Sequence, residues 1–319
     1  MPTAQTLDAA LRFGFAVAAL LFAGLPTPVL AQSALAQGTT GVSRPGGGDP
    51  TQSSLSSGAQ SAWIKGHQAS ARLIAGAEPE GAGGRRLVAG VELRLNEGWK
   101  TYWRHPGDDG GLPPTFDWTG SRNLKTARAL YPVPQRLKSL TGYAIGYMTN
   151  VVFPIEIEPV DPALPVELSL NLEYGICREI CVPAEAKIAL TIVPTLAVMA
   201  PDLAKALTRV PVITAAPAQP GATASPRLAG ASAILTGTAP AITFDIAIGT
   251  AGNRPDLFVE APDGIYLPMT IKVGDPQAGV QKFRIDLKGV DDIARLAGKP
   301  LRLTITAAGS GTETLWTVR

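Results

Sequence analysis

The chain has 319 residues, with 28 Lys and Arg against 26 Asp and Glu, and only two His and two Cys. A net charge of +2 without any basic block argues against nucleic acid or an anionic membrane surface as a partner. Charged residues are sparse at 17%, whereas 34 Gly and 28 Pro make up nearly a fifth of the chain; abundant turn formers between short apolar runs indicate an all-β protein.

In chain order, residues 1–36 read as a signal peptide. Arg12 precedes an apolar run over 13–25 that is too short to span a bilayer, and small-residue cleavage patterns follow at Val29-Leu-Ala31 and Ala34-Leu-Ala36. Pro, Gly or a charge interrupts every later apolar stretch, so no membrane span is expected after signal removal. The expected compartment is the periplasm, where a cysteine pair can oxidise. Residues 37–61 are rich in Gly, Ser, Thr and Pro and read as a disordered tether.

From 62 to 195 the pattern becomes that of a β-sandwich. Alternation of apolar and polar residues predicts strands at 69–75, 86–95, 151–158, 166–173 and 187–193. Residues 196–226 are expected to hold a short helix and a Pro/Ala-rich linker, with Leu196, Met199, Leu203 and Leu207 at helical spacing and Asp202 after Pro201 near its start. A second β-sandwich is expected over 227–319, with strands at 231–235, 241–248, 257–260, 280–287 and 301–306 and a helical insertion near 291–296. The fold expected is thus two immunoglobulin-like sandwiches joined by a short helix and linker.

Chemistry concentrates in the first sandwich. Cys177 and Cys181 stand four apart in Tyr174-Gly-Ile-Cys-Arg-Glu-Ile-Cys-Val-Pro-Ala-Glu185. A bridge closing so small a loop removes little entropy from the unfolded chain, only about 2 kcal/mol, roughly half of what a bridge between distant strands contributes. The pair therefore suits electron exchange better than stapling, although an inert structural bridge remains open. The segment must turn, and Gly175 is expected to permit the turn while Pro183 holds Val182 extended. Arg178 favours a thiolate and Glu179 opposes it. Cu(I) is a second reading for the two thiolates, with Met148 as an added thioether, but a closed zinc site would need four ligands and only His67 and His105 remain. No metal site is therefore assigned. A lone loop histidine such as His105 is read as structural.

Aromatic residues cluster in Gly98-Trp-Lys-Thr-Tyr-Trp-Arg104 with Trp118, and in Leu140-Thr-Gly-Tyr-Ala-Ile-Gly-Tyr-Met148. Trp99, Trp103 and Trp118 fit ordinary packing. The second group, with glycines at 142 and 146, reads as a mobile loop able to lay a ring over a sulfur. Tyr143, Tyr147 and Tyr102, with Arg178 and Glu179, are accordingly the expected surround of the pair.

Taken together, the 98–104 run, the Gly142-Tyr143 segment leading into Val152-Phe-Pro-Ile155, and the Cys-x3-Cys-Val-Pro-Ala-Glu stretch resemble the N-terminal periplasmic domain of the thiol:disulfide interchange protein DsbD, including its ScsB-type relatives. The resemblance covers residues 62–195. It implies an immunoglobulin-like sandwich with a redox-active dithiol at Cys177 and Cys181 and a cap loop near Tyr143. It also implies partners: a thioredoxin-like or membrane thiol reductant on one side, and oxidised periplasmic client proteins on the other. Exchange of this kind requires no dissociable cofactor. The chain shows neither the family's multispanning transporter nor its thioredoxin-like domain, so a reductant is expected on another polypeptide. The alternative is an exported protein-binding or Cu(I)-binding module in which the bridge is structural.

Overall fold

The computed structural model describes residues 59–80, 84–139, 142–215, 226–248, 254–262 and 265–319. The segments expected to be a signal peptide (1–36) and a tether (37–61, as far as 58), and linker positions 216–225, lie outside the described residues.

The N-terminal half contributes β1 (Ile64–Lys65), β2 (Ala69–Glu80), β3 (Gly84–Leu95), β4 (Lys100–Gly107), β5 (Thr115–Asp117) and β6 (Leu124–Ala129). It continues with β7 (Gln135–Lys138), β8 (Tyr143–Met148), β9 (Asn150–Pro159), β10 (Val166–Cys177) and β11 (Cys181–Ile192). Two sheets result, ordered β1-β2-β3-β9-β6 and β11-β10-β4-β8-β7, with β5 beside β10. All their pairings are antiparallel. Because side chains alternate across a strand, Leu73, Val91 and Phe153 of one sheet meet Leu170, Ile188 and Trp103 of the other in a continuous core.

The outer face of the five-stranded sheet is also apolar, and a helix covers it. Helix α1 (Pro201–Leu207) begins with proline, whose missing N–H would have had no helical partner there, and Asp202 lies in its first turn. Leu203, with Met199 and Leu207, packs on Ile74, Val88 and Val152. Gly76 lies beneath, where an added Cβ would come within 2.8 Å of the Met199 sulfur. Leu196, read as part of the helical stripe, instead precedes the helix and is exposed.

The remaining strands are β12 (Val212–Ile213), β13 (Arg227–Ile234), β14 (Ala241–Ala247), β15 (Asp256–Glu260), β16 (Ile271–Gln277), β17 (Val280–Asp286), β18 (Pro300–Ala307) and β19 (Ser310–Thr317). They form sheets β12-β19-β18-β15 and β13-β14-β17-β16 around a second core that includes Phe244, Phe283 and Leu303. A 3-10 turn (Ile293–Leu296) buries Leu296 in that core. The protein is all-β and immunoglobulin-like in architecture.

Within the compact unit Thr51–Arg319, the two sandwiches meet along β4. This strand pairs with β8 at Tyr102↔Gly146 and resumes only at Gly107↔Ala144, so residues 103–106 bulge. Trp103 packs against Phe258 with ring centroids 5.9 Å apart. Arg104 donates to Glu260 through Nε (3.0 Å) and Nη2 (2.6 Å), and to Glu313 at 2.5 Å. Arg136 of β7 makes a second two-pronged contact, to Asp256 at 3.0 and 2.8 Å. Planar guanidinium–carboxylate pairs of this kind fix orientation as well as distance.

Candidate functional site

Cys177 and Cys181 are joined by a disulfide with Cα atoms 4.1 Å apart. They are the final pair of the β10–β11 ladder, Cys177 ending one twelve-residue strand and Cys181 beginning the next, and residues 178–180 form the tip between them. The turn is therefore shorter than expected and does not use Gly175. That glycine sits inside β10 opposite Pro183, its N–H donating to the Leu112 carbonyl at 2.9 Å and its carbonyl accepting from Thr101 Oγ1 at 2.8 Å. A side chain there would press on Leu112 and the Tyr102 ring, with contacts of 3.0–3.1 Å. Pro183 is tolerated because β11 is the edge of its sheet and needs no outward donor.

The two sulfurs have different surroundings. Cys177 is 4% exposed and packs with Tyr102, Ala144 and Leu137 on the outer face of the six-stranded sheet. Cys181 is exposed, as are Arg178, Glu179 and Ile180 at the tip. The Tyr102 hydroxyl lies 2.9 Å from Cys181 Sγ. A disulfide sulfur carries no hydrogen, so the hydroxyl is the donor. Burial first, and the negative charge of Asp109 second, raise the Tyr102 pKa above that of a free phenol, which keeps the proton in place at neutral pH.

Strand parity decides which tyrosine meets sulfur. β10 pairs with β4 at Cys177↔Lys100 and Ile176↔Thr101, so the next position along places Tyr102 level with Gly175 on the disulfide's face. Along β8 the small residues Ala144 and Gly146 share that face, and the alternating Tyr143, Ile145 and Tyr147 do not. Tyr147 is buried in the core against Phe153, and its hydroxyl donates to the Pro132 carbonyl at 2.7 Å. Tyr143 is 42% exposed, with the Arg136 guanidinium 5.6 Å from its ring. The expectation of a loop carrying Tyr143 and Tyr147 over the bridge is thus corrected: these residues belong to a strand paired on both sides, between β4 and β7. Leu140 and Thr141 lie outside the described residues.

What backs Tyr102 instead is the loop 108–114, which sequence reasoning passed over. Gly111, with φ +143°, lies against the Tyr102 ring so closely that any side chain would overlap it. The signal was present as two glycines followed by Leu112-Pro-Pro114, a turn cluster directly after the aromatic strand. Lys100, directly opposite Cys177 and 6% exposed, was likewise not singled out. Arg178 folds back toward Gly98, where a Cβ would lie 3.4 Å from its Nε.

His105 lies in the bulge of β4 itself. Burial lowers its pKa, more than Glu260 and Asp108 raise it, and Arg104 lowers it further, so the ring is neutral at pH 7. The Gly107 N–H approaches its Nδ1 at 3.4 Å. Among the described residues, no three His, Cys, Asp or Glu side chains group to hold a metal ion. Among them, too, no helix is long and apolar enough to cross a membrane.

Comparison with known proteins adds to this geometry. No curated protein sequence matches the chain. The crystal structure of the N-terminal periplasmic domain of ScsB from Proteus mirabilis superposes with a TM-score of 0.61 at 21% identity, over 82% of this chain and 99% of that one. At that identity the likeness speaks for the fold, and it extends across both sandwiches. An adhesin of enterotoxigenic E. coli, CfaE, aligns at 9% identity over 83% of this chain and 82% of its own, with a TM-score of 0.14 that carries no argument. Residues 78–192, the segment that holds the disulfide, match the family model of the N-terminal domain of the thiol:disulfide interchange protein DsbD.

Proposed function

We propose that this protein is a periplasmic thiol–disulfide exchange protein that passes reducing equivalents through Cys177 and Cys181. Electrons arrive from a thioredoxin-like or membrane thiol reductant and leave to oxidised client proteins. The observation that carries this reading is the asymmetry of the bridge: one cysteine exposed beside the hairpin tip and the other buried behind it. The match of residues 78–192 to the interchange family, and the fold shared with a periplasmic domain, support it further.

The chemistry follows from that asymmetry. A donor thiolate attacks the exposed Cys181 Sγ, the bond to Cys177 breaks, and the Cys177 sulfur leaves as a thiolate that takes up a proton. The donor's second thiol then attacks the mixed disulfide, releasing Cys181 and an oxidised donor. The protein now holds two thiols, which reduce a client disulfide by the same steps in reverse. Two electrons and two protons enter and leave in each cycle.

Single-cysteine variants test this. Cys177→Ser is expected to trap mixed disulfides with donor or client through Cys181, whereas Cys181→Ser, left with a buried thiol, is expected to trap few. Neither variant should sustain client reduction. Wild-type rates of client reduction in both variants would overturn the proposal. So would a disulfide that resists dithiol donors, which marks a structural bridge.

A further inference from the structure

Tyr102 does not stand alone against the sulfur; a chain of contacts leads from it into the second sandwich. Its ring is backed by Gly111, and the next residue, Leu112, accepts the Gly175 N–H beneath the ring. The loop that supplies both residues begins at Asp108. There a single carboxylate oxygen, Oδ1, accepts the Tyr266 hydroxyl at 2.9 Å and the Met269 backbone N–H at 3.0 Å. Both donors belong to the segment between β15 and β16 of the second sandwich. Burial and the Asp108 carboxylate raise the Tyr266 pKa to about 12, so its hydroxyl remains a donor across the neutral range. Between Tyr102 and that loop, the bulge at 103–106 is held to the second sandwich through Trp103–Phe258 and Arg104–Glu260. The strand bearing the sulfur's hydrogen-bond donor is thus gripped on its C-terminal side at two places by a domain with neither cysteine nor histidine.

We infer that Asp108 is a positioning residue for the disulfide: by holding the 108–112 loop to Tyr266 and Met269, it keeps the Tyr102 hydroxyl bonded to Cys181 Sγ and slows thiol attack. This inference rests on the exchange reading above and assigns the second sandwich a regulatory part in it. Loss of the Tyr266 and Met269 contacts to Asp108 would free the loop, loosen the hydroxyl from the sulfur and speed thiol attack.

The test uses the full oxidised protein and measures the second-order rate at which dithiothreitol opens the bridge. One dithiothreitol thiolate attacks Cys181, Cys177 departs and is protonated, and the second thiol closes oxidised dithiothreitol. Asp108→Ala should raise this rate about fivefold, a change of the size expected when a loop loses about one net hydrogen bond. Tyr266→Phe should raise it about twofold, because the Met269 N–H still binds the carboxylate. Asp108→Asn retains an oxygen that can accept both bonds and should stay near the wild-type rate. This separates positioning by hydrogen bonds from a general effect of charge or stability, and thermal unfolding measured alongside verifies that each variant is folded. An Asp108→Ala rate equal to wild type would overturn the inference, as would an Asp108→Asn rate equal to that of the alanine variant. Because dithiothreitol opens the bridge whether or not a protein client exists, failure of the exchange reading appears separately, as absence of client reduction by the wild-type protein.

Discussion

The Tyr102 hydroxyl donates a hydrogen bond to Cys181 Sγ across 2.9 Å, joining two residues 79 positions apart in sequence. Removing that donor should be felt most in the reduced protein, when the sulfur ionises to a thiolate at raised pH. Hydrogen bonds to charged acceptors are worth about 1.5–3 kcal/mol. Tyr102→Phe in a Cys177→Ser background should therefore raise the Cys181 thiol pKa by roughly one unit. The pH dependence of its alkylation rate measures this. An unchanged pKa would show that the hydroxyl does not follow the sulfur into the reduced state.

Gly146 lies opposite Tyr102 in the β4–β8 ladder, and a Cβ there would collide with the Thr101 carbonyl oxygen. That oxygen is backbone in a central strand and has no room to move. Gly146→Ala is expected to destabilise the protein by roughly 3 kcal/mol, at the upper end of overpacking costs. Urea unfolding of both proteins gives the difference, and a loss below about 0.5 kcal/mol would contradict the close approach.

Tyr102, Tyr131, Tyr147, Tyr174 and Tyr266 all have pKa values raised, each mainly by burial. The sign follows from proton counting. Above about pH 10 an unfolded chain releases phenolic protons that the native state retains, so stability falls as pH rises from there. The contribution is complete below pH 10 and fades through the folded values, reaching about 12 for Tyr266. Tyrosinate absorbance in an alkaline titration should lag behind that of the denatured chain and then rise together with unfolding. Full ionisation near pH 10 with the fold intact would sink this expectation.

Much of the framework was legible because alternation encodes which face of a strand is buried. The runs at 69–75, 86–95, 151–158 and 166–173 all lie in strands of the sandwich. β4 and β8 were less so. Residues 100–103 of β4 and 144–147 of β8 are buried on both faces, so no alternation marks them. Tyr143-Ala-Ile-Gly-Tyr147 looked like a loop because its glycines were read as flexibility. In the structure Gly146 is a packing requirement beside Thr101.

By itself, the sequence determined that the chain is all-β and that its only two cysteines stand four apart in a resemblance to an interchange domain. It also marked Tyr102 as one of several aromatic candidates. Only the tertiary structure decided that Tyr102 meets the sulfur, that Tyr143 and Tyr147 do not, and that Asp108 ties the site to a second sandwich. The physical reason is that local composition sets which residues are extended and apolar, whereas neighbours across a sheet depend on register between distant strands. One residue of slip in the pairing of β4 with β10 would turn Tyr102 into the core and Trp103 toward the disulfide.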